Sequence, residues 1–151
     1  MLVNKSNNPS PAHQTTLSIG FDIASNEELV LHPGQRYAVS TGLYLDHNHP
    51  IIARELERGV ILADQGKEVL ELQIRPRSGM ALNHGVTVLN SPGTVDIDYK
   101  GEIKVILVNL SDKDYHISVG QNIAQGVFAT GHQLLPIINR TRTGGFGSTN
   151  S

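Results

Sequence analysis

Short runs of aliphatic and β-branched residues recur along the chain, punctuated by glycine- and proline-bearing turns. LSIGFDIA (17–24), RYAVSTGLYL (36–45), EVLELQI (68–74), GVTVLN (85–90), GEIKVILVNL (101–110) and NIAQGVFA (122–129) read as strands, and HPG, SPG, YKG, SVG and ATG as the turns that end them. This spacing predicts an all-β sandwich or barrel. KVILVNL is apolar on both faces, which places it inside a sheet and not at its edge. The pattern predicts one short helix, SGMALNHG, with Ser78 as its N-cap and Gly85 just past its end. Residues 46–67, DHNHPIIARELERGVILADQGK, form a long excursion between two strands, read as an inserted hairpin with its tip near Asp64 to Lys67.

Composition narrows this picture. The 151 residues make a single domain, 1–151, and 5 % aromatics with no Trp leave a core of Val, Ile and Leu, residues that suit strands. A formal charge of −2 gives no global attraction to nucleic acid or to an acidic membrane, so neither is expected as a partner. The absence of cysteine removes thiolate metal sites and thiol nucleophiles and fits a reducing compartment. The opening MLVNKSNNPSPAHQTT is polar and lacks the apolar stretch of a signal peptide, so the expectation is a soluble protein of the cytoplasm or host-cell interior.

Three segments carry candidate chemistry. In PRSGMAL (76–82), Arg77 and Ser78 stand immediately before the short helix, where a guanidinium, a hydroxyl and backbone N–H groups can converge on an anion; equally, Ser78 can be a cap and Arg77 a surface charge. In LNSPGTVDIDYKGEI (89–103), Asp96, Asp98 and Tyr99 crowd one hairpin. A carboxylate there suits a general base, the acid pair suits a divalent ion, and two surface acids on an edge strand is the plainer reading. Gln125 in GQNIAQGVF (120–128) can bind a ligand or satisfy buried backbone. His47 and His49 in DHNHP lack a third ligand at a suitable spacing, so turn chemistry is the better reading for them.

The chain ends on TRTGGFGSTNS (141–151), which has no hydrophobic period to fold it. It is either a frayed terminus or a set of backbone donors free to wrap an anion, with Arg140 and Arg142 nearby.

Taken together, SIGFDIAS (18–25), PRSGMAL, GTVDIDYKGEI, GQNIAQ and GGFGST (144–149) resemble, in order and over nearly the whole chain, the motifs of the homotrimeric dUTPases. The resemblance implies a jelly-roll-like β-barrel with one short helix, assembled as a homotrimer whose active sites draw on all three chains. It implies hydrolysis of dUTP to dUMP and pyrophosphate, with Asp96 readying the water that attacks the α-phosphorus. Arg77, Ser78 and Gly79 would bind phosphates, with Gln125 contributing and Asp22 supporting the site. Asn90, with the hairpin backbone at Gly93 and Val95, would read the uracil edge, and Tyr99 would pack under the deoxyribose.

By the same resemblance, residues 140–151 form a flexible arm that closes over the nucleotide through Phe146, Gly147 and Ser148. Mg2+ is the implied cofactor, held mainly by substrate phosphates and waters, with no direct protein ligand. The chain departs from the family in two places. Thr141 stands where an arginine is common, which leaves Arg140 or Arg142 to reach the γ-phosphate, Arg142 having the shorter path. The 46–67 excursion is longer than usual, either surface decoration or a dock for a protein partner. The rival readings are a dCTP deaminase of related fold, a catalytically idle nucleotide-binding module and a structural β-domain.

Overall fold

The computed structural model describes residues 1–61 and 67–136. Ten strands and two helices follow in the order β1 (Leu2–Asn4), β2 (Phe21–Ala24), β3 (Leu29–Leu31), β4 (Arg36–Leu45), α1 (Pro50–Ile61), β5 (Lys67–Arg75), α2 (Ser78–His84), β6 (Val86–Val88), β7 (Gly93–Asp96), β8 (Ile103–Asn109), β9 (Tyr115–Ile117) and β10 (Asn122–Gln133). They form two four-stranded sheets, β1-β4-β8-β6 and β2-β10-β5-β7, and a two-stranded ribbon, β3-β9. All pairings are antiparallel.

One apolar cluster joins the two large sheets. Val39 and Leu43 of β4, Val105 and Leu107 of β8 and Val86 of β6 meet Phe21 and Ile23 of β2 with Leu72 and Ile74 of β5. On β5 inward residues alternate with outward ones, Leu72 and Ile74 with Glu71, Gln73 and Arg75, because successive side chains of a strand face opposite ways. β8 lies between β4 and β6, as its two apolar faces require.

The excursion at 46–67 is not a hairpin. Pro50–Ile61 is a helix, so the described residues hold two helices and not one. Ile52 is fully buried and Leu56 packs against the core four residues later, with Arg54 and Glu57 outward; this is the helical period. Pro50 suits the first helical position, where its missing N–H would have no partner, and Ile51 N donates to His49 Nδ1 at 3.3 Å. The expected tip lies partly outside the described residues, and Lys67 opens β5.

Two smaller expectations are also corrected. Ser78 does not cap α2: Arg77 holds the extended cap conformation (φ −97°, ψ 128°) with no side-chain cap bond, so Ser78 is already helical and one position too late to serve. ATG lies within β10 and not at a turn. No helix among the described residues is long and apolar enough to cross a membrane.

Candidate active site

Three of the sequence motifs meet on the second sheet. Gln125 of β10 stands directly opposite Asp22 of β2 on one side and Arg75 of β5 on the other. Paired residues of neighbouring strands share a face, so one rung carries all three side chains. Gln125 Nε2 donates to Pro76 O at 3.0 Å, which ties the chain entering α2 to β10. Gly20 leaves room for this amide: a Cβ at that position would fall 2.6 Å from Gln125 Oε1 and push the side chain aside.

Arg77 follows this anchor and forms an ion pair with Asp22, donating from Nη1 to Oδ1. The other carboxylate oxygen accepts from Asn122 Nδ2 at 3.2 Å. Asp22 and Asn122 also line a cleft of about 390 Å3 with Ser6, Asn8 and Ser10 of the N-terminal segment. Tyr115 completes the surroundings. Burial raises its pKa, opposed by the hydrogen bond from Gln121 Nε2 and by the charge of Arg77.

Met80 anchors α2 in the core, and the helix ends on Gly85 in the left-handed conformation (φ 64°), as the sequence predicts. Ser78 and Gly79 are exposed, and a Cβ at Gly79 would meet nothing within 4 Å. The chain's own packing therefore makes no demand for glycine there.

The hairpin of residues 89–103 is built differently. Its turn contains a cis Ser91–Pro92 peptide, and Gly93 sits close against Ile74 of β5 and the Asn90 amide. Asn90 is exposed, and Val95 packs against the core opposite Leu72. Asp96 ends β7 opposite Glu71 with its side chain exposed, while Tyr99 N donates to Asp96 O at 3.0 Å to turn the chain. His47 Nε2 donates to Ile97 O at 3.1 Å, so this histidine braces the turn. Tyr99 is 6 % exposed, and its hydroxyl donates to Glu102 O at 3.0 Å.

Glu102 has an anchor of its own. Burial alone would raise its carboxyl pKa, but hydrogen bonds from Ser40 and Gly42 and the charge of Lys104 outweigh that, so the net shift is downward. A folded-state value below the unfolded one gives stability present above the ordinary glutamate range and lost as pH falls through the lowered value.

The two halves lie at different places along β5. Asp96 is opposite Glu71, and Gln125 is opposite Arg75, four residues or about 13 Å further on, with Arg77 beyond it. Between them runs a side-chain ladder that the sequence reading passed over: Gln73 Nε2 donates to Glu71 Oε1, and Arg75 donates to Gln73 Oε1 at 3.0 and 2.7 Å. The alternation in ELQIR was the available signal. Among the described residues, no group of three or more His, Cys, Asp or Glu stands ready to hold a metal ion. Arg140, Arg142, Phe146, Gly147 and Ser148 lie outside the described residues.

A sequence model of the dUTPase family matches residues 66–150, more than half of the chain. The chain belongs to the dUTPase family. It is 48 % identical over 130 residues to the deoxyuridine 5'-triphosphate nucleotidohydrolase of Cytophaga hutchinsonii, covering 85 % of this chain and 72 % of that protein. It is 47 % identical over 145 residues to the enzyme of the same name from Helicobacter pylori, covering 92 % and 87 %. The fold is shared with a variant of the dUTPase from phage phi11 of S. aureus, at a TM-score of 0.66 and 16 % identity over 92 % of this chain and 96 % of that one. That structure is described as revealing the coordination of a structural Mg(II) ion.

Proposed function

We propose that this dUTPase, a dUTP diphosphatase of nucleotide metabolism, hydrolyses dUTP to dUMP and pyrophosphate by in-line attack of water on the α-phosphorus, with Asp96 as general base. Asp96 is exposed at a strand end whose backbone is held by Tyr99 N and His47, so its carboxylate can accept a proton from a water kept in line. Asn90 reads the uracil edge with the backbone of Gly93 and Val95. A tight hairpin rejects cytosine by mismatched hydrogen bonds and thymine by its methyl group. Tyr99 packs under the deoxyribose and leaves no room for a 2'-hydroxyl.

Arg77, Ser78, Gly79 and Gln125 bind the α and β phosphates. Asp22 holds the Arg77 guanidinium in place until the phosphates compete for it. The open space over Gly79 lets a phosphate approach the backbone closely, a use that suits glycine. The arm of residues 140–151 closes over the nucleotide, Phe146 lying on the uracil, Gly147 and Ser148 on the phosphates and Arg142 on the γ-phosphate. Closure of this kind excludes bulk water from the reacting phosphorus.

Mg2+ fits this donor set as an ion borne by the substrate. It dehydrates reluctantly and takes phosphate oxygens and waters, so the grip of Arg77 and Ser78 on the triphosphate would hold it without a protein cage. When bound it supplies charge neutralisation on the phosphate oxygens. Residues 46–67 present Ile51, Arg54 and Glu57 outward from α1, the face that a protein partner would meet.

The observation that carries the shared-site reading is the separation of Asp96 from the Arg77 corner along β5. Asp96 opposite Glu71 and Arg77 past the end of β5 suit pairing across copies of the chain, Asp96 from one with Arg77 from another, as a homotrimer with pooled sites requires. Mixing Asp96→Asn chains with Arg77→Ala chains, each impaired at a dUTP concentration well below the KM of Arg77→Ala, tests this. Refolded together, they should regain pyrophosphate release from dUTP, because some sites then combine an intact Asp96 with an intact Arg77. No recovery in a mixed trimer would place both groups in one chain's site. Ammonia release from dCTP in the same assay would favour the deaminase.

A further inference from the structure

β4 does not pair evenly with β8. Between Ser40 and Leu43 the register slips, and Gly42 adopts φ +69°. A bulge of this kind leaves backbone groups without ladder partners. Here Gly42 N is satisfied from the far end of the nucleotide hairpin, while Ser40 O and Gly42 O accept from Asn26 N and Lys5 N. Ser40 Oγ donates to Glu102 Oε1 at 2.5 Å, and Gly42 N donates to the same oxygen at 3.0 Å. Beside them, Thr41 Oγ1 donates to Ile103 O at 2.5 Å and accepts from Leu43 N at 3.1 Å. Gly42 cannot be replaced cheaply, since a Cβ there would fall 2.8 Å from Ser6 Cβ and the backbone is left-handed.

Glu102 therefore faces two ways. Its carboxylate is clamped in the β4 bulge, and its carbonyl accepts the Tyr99 hydroxyl. Gly101 lies against the phenol ring so closely that any Cβ would overlap the Tyr99 hydroxyl, so ring and backbone form one packed unit. We infer that Glu102 is the positioning residue for Tyr99: by locking the 99–102 turn to β4, it sets how far the phenol can retreat and so enforces discrimination against ribonucleotides. The inference rests on the reading of Tyr99 as the sugar-facing residue. Discrimination is a difference between two affinities, and a ring that can yield to an extra hydroxyl loses it.

The test compares kcat/KM for dUTP and UTP in the full-length enzyme, wild type against Glu102→Ala, Glu102→Gln and Tyr99→Ala, with thermal unfolding followed in parallel. Glu102→Ala should raise the UTP-to-dUTP ratio about tenfold, the scale of a lost charge-assisted hydrogen bond. Glu102→Gln keeps an acceptor oxygen for Ser40 and Gly42 and should restore the ratio towards that of the wild type. A merely structural residue would lower turnover of both nucleotides alike, and a folded Glu102→Ala protein with an unchanged ratio overturns the inference. Tyr99→Ala separates the two levels of the argument. If it shifts the ratio while Glu102→Ala does not, only the positioning role falls; if it leaves the ratio unchanged, the assignment of Tyr99 falls and takes the inference with it. Should Glu102→Ala fail to fold, Ser40→Ala removes one of the two donors and should move the ratio by about threefold; no movement there also overturns it.

Discussion

The Arg77 corner and the Asn90–Glu102 hairpin are held by different forces. Arg77 and Asp22 meet as charges whose side chains are 35 % and 24 % exposed, a contact that salt screens and that a competing anion can exchange. The hairpin is held by a buried phenol on a backbone carbonyl, a histidine on another and a carboxylate sunk in a bulge. On the proposed reading the corner binds a polyphosphate and has to release its guanidinium to the ligand, so a reversible partner serves it. The hairpin, proposed to tell deoxyribose from ribose, must not give way, and packing against the sheet serves that better.

The largest expected effect comes from Asp96→Asn, which should cut dUTP turnover by about a hundredfold or more while a non-hydrolysable dUTP analogue still binds, the scale of a lost general base. Near-normal turnover would move the base elsewhere. Arg77→Ala should cost about ten- to a hundredfold in kcat/KM, mostly through KM, as charged hydrogen bonds to phosphate are lost. The KM for dUTP of the wild type should rise with salt, and that of Arg77→Ala should rise less; equal slopes would deny the corner its electrostatic role. Asp22→Asn leaves an acceptor for Arg77 without the charge and should change KM only a few-fold. The smallest effect is expected for His47→Ala, which removes one neutral hydrogen bond to Ile97 O and should lower kcat by at most about fivefold, for dUTP and UTP alike. A change in the UTP-to-dUTP ratio in that variant would mean that the two ends of the turn are not separable.

Much of the scaffold was legible from alternation. RYAVSTGLYL is β4 from end to end, and the doubly apolar KVILVNL became the interior strand β8. The three-residue strands β1, β3 and β9 are not legible in the sequence, because so few positions carry no measurable period and only the partner strand makes them extended. α1 reads as a hairpin from sequence because its apolar residues cluster at its two ends, IIA and VI, and so show no plain helical period. Ile52 and Leu56 declare a helix only once the core they enter is known. Of the site, the motif residues were readable one segment at a time, but their partners were not: Asp22 meets Arg77 across 55 residues, and Glu102 meets Ser40 across 62.

By itself the amino-acid sequence determined the β-rich class, the family and the chemical types available at the site, because those follow from local periodicity and from residues close together in the chain. Tertiary structure alone decided that Arg77 is held by Asp22, that Glu102 reaches back into the β4 bulge and that Asp96 stands a strand's length from the Arg77 corner. Such contacts depend on the register between strands far apart in sequence, and a shift of one residue would turn each of these side chains to the opposite face.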